Sequence, residues 1–396
     1  MILPSRLLPF ILAISLVAIA ACADSTNDNS NVSSNNQQPD PNGSSDDGLD
    51  ADAIFSLPTA DDPDETLQQA IVDLIDDTAD GAELRGAFFS FSRVETAQAL
   101  VNAHQRGVDV RLVVGNNNRF ASGSYNDAVE LLLDELNDRV HVCSEQGSNG
   151  ACIGTNIQHN KFLTMSQLGD GTSDVVAQSS GNITNAQPRD FDNLLVLRGD
   201  TGIYNAYRQY WDHLNDEQHS FDTPVSGDDQ TRAFFFPVER DDGDPVRDLV
   251  DHVDCSDGGH IYVAMAFFTN SRWSLAGRLR DRHQEGCQLS LVLGRDDSIN
   301  SPGDDIKDYI YTDDIQVALF DEGQRPQVHS KYMIFDGVTY RGQSNSRTVI
   351  TGSHNFSQSA LFSNDEAILK LHDSALTDAY IANFQHVFDF ADQVHP

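Results

Sequence analysis

Residues 87–115, AFFSFSRVETAQALVNAHQRGVDVRLVVG, lie without a gap on residues 266–294, AFFTNSRWSLAGRLRDRHQEGCQLSLVLG. A chain that repeats itself over half its length must fold the same way twice and then join the copies. In each stretch an apolar run leads into a segment with apolar residues at helical spacing, then a glycine and a second apolar run. This is a strand, helix, strand unit, which implies parallel strands. Gly107 and Gly286 stand where a helix must stop, and glycine suits that position on backbone grounds. The first copy continues through RVHVC, QHNKFLTMS, DVVAQSSGNIT, FDNLLVLRG and the helical TGIYNAYRQYWDHLN. The second runs in step through IQVALF, VHSKYMIFDG, TVITGSHNFS, DEAILKLHD and TDAYIANFQHVFDF. A period this long means duplicated domains rather than a solenoid. The expected fold is α/β, with halves at residues 51–222 and 223–396. Each half is a mixed, mostly parallel sheet flanked by helices, and the two pack about a pseudo-twofold axis around one shared site.

Corresponding points of the copies carry an H-x-K triplet, His159 with Lys161 and His329 with Lys331. Lysine occurs only at positions 161, 307, 331 and 370, so with 13 histidines in 396 residues chance predicts about 0.1 such triplets. Two are present, and they align. Residues two apart on a strand share a face, which puts each imidazole beside its ammonium. Burying lysine costs several kcal/mol unless an anion answers it. A phosphate between the two lysines is such an anion. Phosphoryl transfer needs positive charge on the non-bridging oxygens, a nucleophile, and an acid for the leaving oxygen, and two histidines with two lysines supply all three. The chain has no H-E-x-x-H, Walker or EF-hand pattern, so neither a metal nor another cofactor is expected.

HNKFLTMS followed by SSGNIT, and HSKYMIFD followed by GSHNFSQSALFSNDE, resemble the paired H-x-K-x-x-x-x-D signatures of the phospholipase D superfamily, each with its downstream G-S-x-N segment. The resemblance covers roughly residues 65–392. It implies a metal-independent phosphodiesterase with one active site between the halves. One histidine attacks phosphorus and the other protonates the leaving alcohol. By the usual precedent His159 is the nucleophile and His329 the acid, with Lys161, Lys331, Asn182 and Asn355 on the phosphate oxygens. Carboxylates behind the imidazoles hold their tautomers. Glu366 is expected behind His329, and Asp190 or Asp192 behind His159, with Ser353 in support and Asp336 structural. The first copy departs from the pattern twice, with Ser166 at the position of Asp336 and Asn193 at that of Glu366.

The N-terminus reads as an address. Arg6 precedes LLPFILAISLVAIAA, a signal-peptide core too short for a comfortable span, so residues 1–21 are expected to be removed. IAAC at 19–22 resembles the lipobox of bacterial lipoproteins, which implies lipidation of Cys22; Ala18 and Ala20 also satisfy an ordinary secretory cleavage site. Residues 22–50 carry almost no apolar side chains beyond the cysteine and are expected to form an unfolded tether. In an oxidising compartment the economical disulfides are Cys143–Cys152 and Cys255–Cys287, with the other connectivities open.

The formal charge is −36, a field that repels polyanions unless basic residues cluster. Nucleic acid is therefore a disfavoured partner, although Arg325, Arg341 and Arg347 offer a local groove. A membrane phosphodiester fits an exported enzyme better, with Phe234, Phe235, Phe236 and Tyr332 as candidate pocket residues and a monomer expected. The alternatives are an exported nuclease of the same superfamily and a non-catalytic binding protein that kept the fold.

Overall fold

Two sheets carry the repeat in the computed structural model, which describes residues 43–44, 48–120, 122–143, 150–219, 225–312, 314–323 and 325–393. The first contains β1 (Gly43–Ser44), β2 (Asp50–Phe55), β3 (Glu83–Phe88), β4 (Asp109–Val114), β5 (Val140–Val142), β6 (Lys161–Gln167), β7 (Ser173–Ser179) and β8 (Asn193–Arg198). Their order is β1-β2-β8-β7-β6-β3-β4-β5. The second contains β9 (Val225–Gly227), β10 (Thr231–Phe236), β11 (Val253–Asp254), β12 (His260–Met265), β13 (Gln288–Leu293), β14 (Gln316–Leu319), β15 (Lys331–Tyr340), β16 (Gln343–Gly352), β17 (Glu366–His372) and β18 (Asp392–Gln393). Its order is β18-β14-β13-β12-β15-β16-β17-β10-β9, with β11 beside β15.

Both sheets are mixed, and parallel pairing is confined to β3-β4-β5 and β12-β13-β14. In each of these parallel pairs a helical crossover joins one strand to the next, whereas every other pairing between the named strands is antiparallel, so the sheets are mostly antiparallel rather than mostly parallel as expected.

Helices α1 (Thr66–Asp77), α2 (Val94–Arg106) and α3 (Asp127–Leu136) bury one face of the first sheet around Leu100, Leu112 and Leu163. The inner face meets α4 (Thr201–Asn215). In the second half α5 (Pro245–Asp251), α6 (Trp273–Gln284) and α7 (Asp304–Ile310) pack around Leu279, Leu291 and Phe335, with the short α8 (Gln358–Phe362) nearby. Its inner face meets α9 (Ser374–Phe390). Tyr207 and Tyr210 of α4 share one core with Tyr380 and Phe384 of α9 and with residues from both sheets. That common core joins the halves. Asn126, Asp200, Asp244 and Asp373 start α3, α4, α5 and α9 by accepting hydrogen bonds from first-turn N–H groups.

The repeat is not gapless. Phe88 pairs with Lys161 and Met265 with Lys331, so Phe88 corresponds to Met265, two residues short of its partner in the ungapped alignment. Five residues join β3 to α2, but seven join β12 to α6. A two-residue slip along a strand returns every side chain to its original face, so the apolar pattern does not register it. From the helices onward the ungapped correspondence holds. Gly107 and Gly286 both end a helix region with positive φ, 105° and 119°.

Both expected disulfides are formed, Cys143–Cys152 and Cys255–Cys287. Gly43, Ser44 and Asp50 belong to the first sheet although they fall within the stretch expected to stay unfolded, because backbone pairing with Ala53, Asp52 and Arg198 requires no apolar side chain. The chain divides after Gln38, and both repeats lie in the unit that follows. The expected leader and the expected lipidation site Cys22 lie outside the described residues, among which no helix is long and apolar enough to cross a membrane.

Candidate active site

The histidines stand on the residues leading into β6 and β15, and each is gripped by the opposite half. His159 N–H donates to Asp365 O at 2.9 Å, and His329 N–H donates to Phe191 O at 2.9 Å. Lys161 and Lys331 open the two strands and are 1% and 2% exposed. Each ammonium turns back on its own motif, Lys161 Nζ donating to His159 O at 2.7 Å and Lys331 Nζ to His329 O. Lys331 also reaches Ser180 O at 3.5 Å.

The imidazole and carboxylate pairs cross between halves. Glu366 Oε2 lies 2.8 Å from His159 Nδ1, and Asp192 Oδ1 lies 2.9 Å from His329 Nδ1. This reverses the expected assignment of Glu366 to His329 and of an aspartate to His159. The halves meet at their motif ends, so the nearest carboxylate to each imidazole belongs to the other copy. Ser353 Oγ donates to Glu366 at 2.5 Å and Ser180 Oγ to Asp192 at 2.6 Å, the same device twice.

Asp192 therefore corresponds to Glu366. Ser180 N–H donates to Asn193 O as Ser353 N–H does to Ala367 O, which makes Asn193 the counterpart of Ala367. The loop after Asn182 is one residue shorter than the loop after Asn355, which displaced the alignment by one position. Asn193 instead ties the halves together, donating to Thr351 Oγ1 at 2.7 Å and Tyr380 Oη at 3.0 Å.

Asp190 does not meet His159; its carboxylate pairs with Arg325, and burial pushes its pKa up. Asp336 lies five residues beyond Lys331 and binds Arg347 at 2.8 Å, outside the cluster. Its counterpart Ser166 accepts from Glu83 N–H at 2.9 Å. The candidate pocket residues Phe234, Phe235, Phe236 and Tyr332 are buried core, and Tyr332 Oη donates to Asn383 at 2.8 Å. No basic groove forms from Arg341 and Arg347, which are engaged by Asp248 and by Asp336 with Asp378. The buried side-chain oxygens of Asn182 and Asn355 find no partner among the described residues, leaving both amides able to turn an N–H toward a ligand.

Burial holds the His159 pKa well below its ordinary value, and the charges of Lys161, Lys331 and His329 press it further down. His159 is thus neutral at pH 7. Burial also depresses Lys161 strongly and brings Lys331 to about 8, against the pull of Asp192 and Glu366. Glu366 is raised to about 7 by burial, opposed by Lys161. Both ammonium groups are thus buried against backbone carbonyls with no carboxylate at contact distance among the described residues, a desolvation cost that depresses both lysines. An anion placed among the four side chains would relieve it.

Phe89, Asn364 and Asp365 were missed by the sequence reading. The Phe89 ring lies 4.9 Å from the His159 ring and 5.3 Å from Lys161 Nζ. No pattern in the sequence signals that contact, which arises from the pairing of β3 with β6. Asn364 donates to Glu366 Oε1 at 3.0 Å. Asp365 accepts from the N–H groups of Cys152, Ile153 and Gly154, fastening the disulfide loop of the first half to the second. Ser180 was legible as the repeat partner of Ser353.

The model of the family described as cardiolipin synthase, PLD-like domain, matches residues 71–215 and 256–388, more than half of the chain and both repeats. The chain belongs to the phospholipase D superfamily. Among solved structures, phosphatidylserine synthase of Haemophilus influenzae superposes with a TM-score of 0.59 at 11% identity, over 86% of this chain and 87% of that one. Polyphosphate kinase of Porphyromonas gingivalis gives 0.54 at 13% identity over 85% of this chain, which spans only 50% of the kinase. At these identities the likeness is one of fold. No curated protein sequence matches the chain.

Proposed function

We propose that this superfamily member is a phosphodiesterase that cleaves a membrane phospholipid between phosphate and headgroup, through a phosphohistidine on His159. The observation that supports this reading is the crossed pair of imidazole and carboxylate couples closing around two buried lysines. With Nδ1–H donated to Glu366, neutral His159 presents the Nε2 lone pair to phosphorus. His329, protonated and held through Nδ1 by Asp192, gives its Nε2 proton to the departing alkoxide. The P–O bond to the headgroup breaks as the N–P bond forms. Neutral His329 then takes a proton from water, whose oxygen displaces His159 and releases phosphatidate. Lys161 and Lys331 neutralise the charge on the non-bridging oxygens throughout, and Asn182 and Asn355 donate amide hydrogen bonds to them. An alcohol in place of water would give transfer instead. The enzyme is proposed to act outside the cytoplasm as a monomer, held to the envelope through Cys22.

The test is turnover of a soluble chromogenic phosphodiester in EDTA, run beside phosphatidylcholine vesicles and single-stranded DNA. The wild type should release chromophore and choline. His159→Ala and His329→Ala should each lose at least ~10³-fold, the scale of a lost nucleophile or general acid. Full activity in either variant, or activity lost to EDTA and restored by a divalent ion, would refute the mechanism. Nicking of DNA without choline release would refute the lipid substrate.

A further inference from the structure

Seven large apolar side chains are exposed among the described residues, and four of them fall in two corresponding segments of the repeat, one from each segment in each half. Val94 and Trp273 are the first residues of α2 and α6, 44% and 54% exposed. Phe120 and Ile299 stand five residues after Gly115 and Gly294, in the loops that follow β4 and β13, at 57% and 46%. Single exposed apolar residues are normal on any surface. Recurrence in corresponding segments of two copies that share only part of their sequence is a different observation.

All four sit at the sheet ends that hold the catalytic motifs. β3 and β12 end at Phe88 and Met265, the partners of Lys161 and Lys331. Each following loop starts against that same point, Gly115 N–H donating to Phe88 O and Gly294 N–H to Met265 O. Within each half the two segments are stapled together. Asn118 accepts from Phe91 N–H at 2.8 Å, while Ser301 Oγ accepts from Phe268 N–H at 2.9 Å. The apolar pair of each half is thus carried on one hydrogen-bonded rim beside its own histidine and lysine.

We infer that Val94, Phe120, Trp273 and Ile299 dock the active-site edge onto a zwitterionic phospholipid surface, one apolar pair from each half on either side of the shared site. This rests on the phosphodiesterase reading and adds how the substrate is presented. A bilayer is the occupant that meets two repeat-related rims at once while delivering a phosphodiester between them. The charge of −36 selects a zwitterionic surface over an anionic one, which the protein's field would repel. Aromatic and branched side chains are suited to the interface between headgroups and acyl chains.

The chain contains two tryptophans, and only Trp273 is exposed; Trp211 is 3% exposed and donates to Gly86 O. Emission is therefore a direct probe. The full chain carrying Cys22→Ser, which removes any acyl anchor, is titrated with phosphatidylcholine vesicles. A blue shift, quenched by lipids brominated on the acyl chains and absent in Trp273→Phe, is expected. Phe120→Ser with Ile299→Ser should weaken vesicle association about tenfold or more per side chain. The same variant should lose vesicle hydrolysis in proportion while keeping turnover of the soluble diester. Unchanged emission at saturating vesicles would overturn the inference. So would a protein-concentration-dependent shift without lipid accompanied by a dimer in sedimentation, which would assign the rims to a second copy. Failure of soluble turnover with the emission shift intact would refute the catalytic reading and leave the docking surface standing.

Discussion

Replacing Lys331 with methionine should make the protein more stable and inactive. The ammonium is fully buried, and its pKa falls from 10.5 to about 8 with burial as the first cause. That depression corresponds to about 3 kcal/mol by which the folded state penalises the charged form. Methionine fills nearly the same space without charge. It also forfeits the hydrogen bonds to His329 O and Ser180 O, at about 1 kcal/mol each, the second being long. The net expectation at pH 7 is a gain of about 1–2 kcal/mol.

The sign with pH follows from proton binding. Below pH 8 both states hold the proton and the penalty is in full force. Between pH 8 and 10.5 the folded chain has released a proton that the unfolded chain retains, so wild-type stability climbs with pH. Lys331→Met lacks this contribution, so its advantage should shrink above pH 8, vanish near about pH 9 and reverse by about pH 10.5, where only the forfeited hydrogen bonds, about 1–2 kcal/mol in favour of the wild type, remain. Urea unfolding with disulfides intact, measured at pH 7 and pH 9.5, tests both points, with soluble-diester turnover recorded alongside. A variant less stable than wild type at pH 7, or one whose difference from wild type is independent of pH, would show that Lys331 is not an unanswered buried charge.

The crossed couples make a directional claim about mutants. Glu366→Gln should move the His159-dependent limb of the pH–rate profile and Asp192→Asn the His329-dependent limb, each with a loss of about 10²–10⁴ in kcat; the opposite assignment of limbs would refute the crossing. Cys255→Ser with Cys287→Ser opens a loop of sequence separation 32, against 9 for the other disulfide, so chain entropy predicts losses of about 3.7 and about 2.7 kcal/mol respectively, read by urea unfolding. A larger loss from opening Cys143–Cys152 would indicate that its loop, through Asp365, matters more to the joint between halves than to the unfolded chain.

The sequence by itself determined the duplication, the α/β class and the four side chains that meet at the centre of the site, and it favoured the two disulfide pairings that the structure then decided among the open connectivities. These were legible because each rests on a local pattern: apolar spacing, a glycine at a helix end, a cysteine near another cysteine, or a histidine two residues before a lysine. Tertiary structure decided which carboxylate serves which imidazole. Glu366 is covalently nearer His329 yet binds His159, because strand ends from different halves abut while the strands of one half carry these residues apart. It also decided the register of the repeat. A two-residue slip in a strand keeps every side chain on its face, and a one-residue shortening before Asp192 lies in a loop, where no periodicity exists to reveal it. Phe234, Phe235, Phe236 and Tyr332 illustrate the same division. Their apolar character was plain from the sequence, but whether an apolar run faces a substrate or a core depends on what packs against it, and here α4, α5 and α9 contribute to the cores that enclose them.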